Sequence, residues 1–266
     1  MKQRIITGVV AGAGFLLFLV LGGFYYTALI LLLAAVAYFE YTRMNGQPQI
    51  RLITLLGYIT TLYIAFPWEQ EQFAEWKALS YESTAWLALF LMFAVTVISK
   101  NKVTIDQIAL VLLGALYIGT GFHYMIATLL GTNGLYWTLL LFVCVVASDT
   151  GAYFTGRAFG KRPLWPTISP KKTVEGALGG IVVSIIAALC FSLYAPALLF
   201  WGSAIGLGLA IAVVGQMGDL IQSAYKRIRN IKDTGAILPG HGGVLDRCDS
   251  WLIVFPFVHL LSLIPQ

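Results

Sequence analysis

The sequence predicts an all-α, polytopic membrane bundle of about nine transmembrane helices with a cytoplasmic N-terminus. Three observations predict it. The 266 residues are 59% hydrophobic and 11% charged, with a mean hydropathy of +0.82, and ordinary soluble domains carry far more charge. Apolar runs long enough to cross about 30 Å of hydrocarbon recur along the chain. With the N-terminus inside, 16 of the 17 Lys and Arg residues fall in inner segments, the asymmetry that the positive-inside rule requires.

The expected spans cover residues 5–21, 24–39, 50–66, 84–98, 107–130, 135–147, 177–194, 197–217 and 251–264. The first follows Lys2 and Arg4; with no small-x-small cleavage site and more spans to come, it reads as a retained helix and not a signal peptide. Gly8 and Gly12 in this span, and Gly202 and Gly206 in the eighth, have the spacing of close helix packing. The second and sixth spans are short for a full crossing. The fourth follows an acidic outer loop, 69–82, which holds Lys77, the one outer basic residue. The fifth contains Gly119-Thr120-Gly121, a point at which it could break; a break would put the later basic loops on opposite sides, so one continuous span is expected. The sixth leads into a polar loop at 149–175, Ser169 or Thr173 followed by Glu175 reads as a helix start before the seventh, and the eighth leads into a second loop at 219–250. Both loops are expected in the cytoplasm. Residues 1–134 are expected to form a scaffold with a face suited to dimerisation, and 135–266 the catalytic helices of one membrane domain.

Cys144 and Cys190 lie in apolar runs, and Cys248 in a charged segment; their spacing supports neither a zinc site nor a disulfide framework. The sequence pI of about 9.1 reflects membrane orientation and not a nucleic-acid partner. His123 and His259, inside spans, read as helix-packing residues.

The chemistry concentrates between Ser223 and Asp249, where five Lys/Arg, three Asp, one His and four Gly stand between apolar runs. Basic side chains bind phosphate oxygens and clustered aspartates bind hard cations such as Mg²⁺. If the eighth helix continues past the membrane, Asp219, Ser223 and Lys226 lie at i, i+4 and i+7 on one face, with Arg227 about 100° round. For Arg229, snorkelling to lipid headgroups is the preferred reading. Around His241, Gly240, Gly242 and Gly243 make a turn whose N–H groups suit an anion. Asp246 and Asp249 share a helix face at i, i+3; they read either as a charged helix cap or, joined by Asp219, as a divalent-cation site. In the earlier loop, Lys171 and Lys172 stand at a helix start, where dipole and ammonium both attract anions. Asp149 follows an uninterrupted apolar run, an expensive place for a carboxylate.

Ser223-x-x-Lys226-Arg227, Lys232-Asp233-x-Gly235, Leu238-Pro239-x-His241-Gly242-Gly243 and Asp246-Arg247-x-Asp249 resemble the C-terminal signature of the phosphatidate cytidylyltransferases, or CDP-diglyceride synthases. Ser169-Pro170-Lys171-Lys172-Thr173-x-Glu175-Gly176 and Ser148-Asp149-Thr150 are similar to that family's second conserved region. The resemblance implies Mg²⁺-dependent transfer of a cytidylyl group from CTP to phosphatidic acid, at the cytoplasmic face of a bacterial inner membrane. With the reading of the residues, it implies that Asp219, Asp246 and Asp249 hold the metal, with room for a second cation. Ser223, Lys226 and Arg247 would contact phosphates, and Lys171 and Lys172 the triphosphate or lipid headgroup. Asp149, Arg227 and Lys232 would assist substrate binding, and His241, Gly242 and Gly243 would form the turn over the phosphates. Membrane lipids surround the chain, and its small-residue faces are compatible with a homodimer. A CTP-dependent polyprenol kinase and a transporter of phosphorylated lipid or anion are the competing readings. The spaced Asp-Gly…Ala-Arg…Asp pattern of CDP-alcohol phosphatidyltransferases is not found.

Overall fold

The computed structural model describes residues 2–49, 51–237, 240 and 242–265, with side chains described from residue 6 onward except at 71 and 72. The described residues form helices α1 (Lys2–Leu21), α2 (Gly23–Met44), α3 (Leu52–Ala65), α4 (Glu71–Ala74), α5 (Tyr81–Ile98), α6 (Ile105–Leu130) and α7 (Gly134–Phe159), a two-stranded hairpin of β1 (Pro163–Trp165) and β2 (Ser169–Thr173), then α8 (Val174–Tyr194), α9 (Trp201–Ile228), α10 (Leu245–Cys248) and α11 (Trp251–Leu260). Helices predominate because a backbone in hydrocarbon must satisfy its own hydrogen bonds. Among the described residues, α2, α5, α6, α7, α8 and α9 are long and apolar enough to cross a membrane. The apolar stretches Ile6–Leu21, Leu52–Ala65 and Trp251–Leu260 are shorter.

The expected spans are all helical, but their ends move. The sixth, expected to stop at 147, runs on to Phe159, and α9 continues to Ile228. At 26 and 28 residues and 1.5 Å per residue, these helices are about 40 Å long and overrun the hydrocarbon thickness. Hydropathy marks where an apolar run stops; the helix itself continues through Asp149 and Asp219. In the other direction, α3 stops at Ala65 because Phe66 precedes Pro67 and is held extended, with φ −69° and ψ 138°. Gly119-Thr120-Gly121 does not break α6. A Cβ at Gly119 would lie 3.0 Å from Thr61 O and from Ile64 Cβ, so this glycine serves close packing on α3. The hairpin was not expected from sequence.

The chain divides into two compact units. One comprises residues 1–130 and 233–247. Its core is α2, α3 and α6, closed by Tyr38, Val111, Ile118, Phe122 and Met125, all fully buried. Tyr38 donates its hydroxyl to Val111 O at 3.3 Å and meets Tyr58 edge-on, with ring centroids 4.7 Å apart. The other unit comprises residues 131–232 and 248–266. Here α8 lies against α7 and α9, and α11 packs on α9. Phe142 of α7 stacks edge-on against Trp251 of α11 at 4.5 Å.

The α8–α9 contact is close enough that Ser184 Oγ donates to Gly208 O at 2.9 Å. A Cβ at Gly208 would lie 2.7 Å from Ile185 Cα, and a backbone atom cannot step aside. Gly208→Ala is therefore expected to destabilise by about 1–3 kcal/mol, lowering the melting midpoint in detergent by several degrees, as read by a thermal unfolding scan.

Candidate active site

The candidate site is built on the extension of α9 beyond its apolar run. Helical spacing places Ser223 one turn after Asp219, and Ser223 Oγ donates to Asp219 Oδ1 at 3.2 Å. The second oxygen of Asp219 meets Lys172 of the hairpin, with Nζ–Oδ2 2.6 Å. The two polar loops thus meet here, through an ion pair between residues 47 positions apart. Both partners are partly open to solvent, at 28% and 32% exposure, so the pair is neither fully screened nor sealed.

Several links hold the hairpin that carries Lys172. Thr173 caps α8 by accepting the Gly176 N–H at 3.1 Å, which makes Thr173 and not Ser169 the helix start. Glu175 Oε2 accepts the N–H groups of Lys161 and Arg162 at 3.1 and 3.2 Å. Arg227 of α9 donates Nε to Ile168 O in the hairpin turn at 3.2 Å; Arg227 was expected on a phosphate, and its Nε instead fastens the hairpin to α9. Lys171, beside Lys172 on β2, is exposed.

A cleft of about 380 Å³ opens beside the ion pair, lined among others by Asp149, Tyr153, Arg157, Lys171, Lys172 and Asp219. This is the size range of small-molecule sites. Asp149, Tyr153 and Arg157 lie at i, i+4 and i+8 on α7, one face of a helix. Sequence reasoning placed them in a loop and so left Tyr153 and Arg157 out of the site. The signal that would have found them is the same spacing, once the helix is allowed past residue 147. Gln216 of α9 also lines the cleft, donating to Ala177 O at 3.1 Å.

Asp249 belongs to the same cluster. A Cβ on Gly218 would lie 2.8 Å from Asp249 O and 3.0 Å from Ser250 Cα; only glycine lets the backbone before α11 come so close to α9, next to Asp219. Burial, then the neighbouring Asp219 charge and more weakly Asp149, push the Asp249 carboxyl up to about 7, against the Ser250 N–H and the Lys226 ammonium. The Asp249 carboxyl therefore feels the charges of Asp219, Lys226 and Asp149.

Among the described residues, no three His, Cys, Asp or Glu side chains gather into a group able to hold a metal ion. Asp246 belongs to the unit that contains α2, and it turns onto its own segment. Its Oδ2 accepts the Thr234 N–H at 2.7 Å, the Gly243 N–H at 3.0 Å and the Thr234 hydroxyl at 3.1 Å. These donors lie before α10, which begins at Leu245, so Asp246 ties the segment 233–247 together, and the N–H groups of Val244 and Leu245 at the start of α10 go to Glu40. The Gly243 N–H, expected in the turn over the phosphates, is taken here by Asp246. Gly240 and Gly242 do have left-handed φ values of 79° and 86°, as a glycine turn should. Arg247 is exposed on α10 and Lys232 is exposed after α9. His241, with Leu238 and Pro239, lies outside the described residues.

Sequence reasoning missed Glu40. It stands in α2, 1% exposed, and its two oxygens accept the Val244 N–H at 3.0 Å and the Leu245 N–H at 2.8 Å.

The electrostatics of Asp249 set a pH dependence. Its folded-state pKa lies above the ordinary 3.8, so between those values the folded chain binds a proton that the unfolded chain has lost. Stability therefore falls as pH rises from 3.8 to about 7. In chelator, Asp249→Asn should melt like wild type at pH 4 and at a higher temperature at pH 8, measured by thermal scans across that range.

The description "Cytidylyltransferase family" belongs to the family model that matches residues 2–264. The chain is 43% identical over 264 residues to a phosphatidate cytidylyltransferase of Bacillus subtilis, covering 98% of this chain and 97% of that one. It is 36% identical over 261 residues to a phosphatidate cytidylyltransferase of Staphylococcus haemolyticus, covering 98% of both. Since these matches run nearly end to end and take in the basic cleft and the aspartates around it, the chain belongs to the cytidylyltransferase family and is a nucleotidyltransferase.

Proposed function

We propose that this chain joins CTP to phosphatidic acid, forming CDP-diacylglycerol and pyrophosphate. The near-complete likeness to phosphatidate cytidylyltransferases carries this reading. The cleft supports it. Two polyanions must be brought together, which needs several cations at one place, and Arg157, Lys171 and Lys172 line one cleft. The phosphatidate phosphate is largely anionic near neutral pH, so it needs no strong base. Its oxygen attacks the α-phosphorus of CTP, a new P–O bond forms, and the bond to the β-phosphate oxygen breaks to release pyrophosphate.

The donor set around Asp219 fits magnesium. Mg²⁺ is bound by one or two carboxylates together with substrate phosphates and waters, a set to which Asp219 and Asp249 can contribute. The Lys172 ammonium on Asp219 stands where a cation is wanted. Bound there, the ion would neutralise charge on phosphoryl oxygens. Asp219 and Asp249 would hold it, Ser223 would orient Asp219, and Lys172 would turn from Asp219 to a phosphate. Lys226, close enough to Asp249 to be felt by its carboxyl, would hold a second phosphate.

The positive-inside distribution of 16 of 17 basic residues favours a site facing the cytoplasm, where CTP and Mg²⁺ are available. The acyl chains would then enter sideways from the inner leaflet of a bacterial inner membrane. A homodimer through small-residue helix faces is compatible with this arrangement.

Purified protein in detergent should release pyrophosphate from CTP only when phosphatidate is present, and chelation should stop it. Formation of CDP in place of pyrophosphate would mark a kinase, and no reaction at all would leave transport as the better reading. Lys172→Ala and Lys226→Ala should each lower kcat/KM for CTP by about 10- to 100-fold, as measured by coupled pyrophosphate release; unchanged kinetics in either variant would remove that lysine from the phosphate site. Asp219→Asn should lower kcat at saturating CTP and raise the Mg²⁺ concentration needed for half-maximal rate.

A further inference from the structure

An ionisable residue inside a membrane helix calls for a named partner and a functional reason. Glu40 has unusual partners. Its carboxylate, buried in α2, spans about two hundred positions of sequence to take the backbone N–H groups of Val244 and Leu245. It also accepts the Thr234 hydroxyl at 3.2 Å. That hydroxyl lies 3.1 Å from Asp246 Oδ2 as well. A hydroxyl has one proton to donate, so one donor stands between two carboxylates and links their positions.

The segment is shaped around Glu40. A Cβ at Gly235 or at Gly243 would collide with the Glu40 carboxyl group. Two glycines of the Ser223–Asp249 signature therefore make room for a side chain of α2. An anchor for the peptide chain alone would need only some acceptor at this depth. The Glu40 contacts do more, because they reach the Asp246 carboxylate through Thr234.

We propose that Glu40 is a positioning residue for the reaction: through Thr234 it sets the placement of Asp246, and through Val244 and Leu245 it holds the segment 233–247 in its working shape. This rests on the cytidylyl transfer proposed above and on the metal-binding role that the resemblance implies for Asp246. Glutamine in its place would keep one acceptor oxygen and turn an N–H₂ group towards a buried N–H, leaving a donor unpaired.

The test uses the full-length protein in detergent and the variants Glu40→Gln, Thr234→Val, Thr234→Ser and the Glu40→Gln/Thr234→Val pair. Misplacement of about an ångström costs up to a hundredfold in rate. Glu40→Gln is thus expected to lower kcat by about tenfold or more, with KM for CTP within about threefold of wild type. Amide hydrogen exchange should quicken in peptides covering 233–247 and stay unchanged in those covering α6 and α8. Thr234→Val should lower kcat similarly, Thr234→Ser should restore it, and the double variant should be no slower than the slower single one, because both changes cut the same link. Losses that multiply in the double variant, a wild-type kcat in Glu40→Gln, or faster exchange spread over the whole unit would overturn the proposal. Should Glu40→Gln fail to fold, the Thr234 pair decides: equal rates for Val and Ser reject the link. A wild-type protein that releases no pyrophosphate would instead overturn the assigned reaction, and the exchange data would then judge Glu40 alone.

Discussion

Charge held against an apolar bundle must be met by specific partners, because water is scarce there and an unpaired ion is costly. Each acidic side chain around which this protein is organised meets that condition differently. Asp219 is met by an ammonium and a hydroxyl, Lys172 and Ser223. Glu40 and Asp246 are met by backbone N–H groups and share the Thr234 hydroxyl. Asp249 meets it by holding its proton up to about pH 7. These solutions bring distant parts of the chain together, and the clefts and turns follow from them.

The hairpin shows how local rules serve that end. Thr173 caps α8 and Glu175 reaches back to the strand-entry N–H groups, so the turn before α8 has a defined path. Arg227 ties the hairpin to α9. Lys172 is thereby delivered to Asp219, yet stays open enough to exchange that partner for a phosphate. A rigid frame with one exchangeable ion pair suits a site that must receive two highly charged substrates.

Much of this was legible in the linear chain. The apolar runs gave the helices, and the i, i+4 spacing of Asp219 and Ser223 gave their contact. Other features were hidden for identifiable reasons. Hydropathy stops at Ser148, so α7 was cut short and Tyr153 and Arg157 fell outside the site. The hairpin has no alternating apolar pattern, since its strands are three and five residues long and none of those residues is buried. Glu40 lies just beyond the apolar run 24–39, and nothing near it in sequence needs a carboxylate; its donors are some two hundred residues away. Asp246 reads in the sequence as a cap or a metal ligand, and spacing does not show that its carboxylate takes the Thr234 and Gly243 N–H groups.

By itself the sequence determined the membrane class, the helices and the chemical character of the site. Composition, periodicity and short-range spacing act locally, within a turn or two of helix. Only the tertiary structure decided which charges meet which partners: Lys172 with Asp219, Glu40 with the 233–247 segment, and Asp246 with Thr234 and Gly243. Electrostatic pairing in a low-dielectric bundle depends on distance in space, and the order of residues along a chain does not carry that distance.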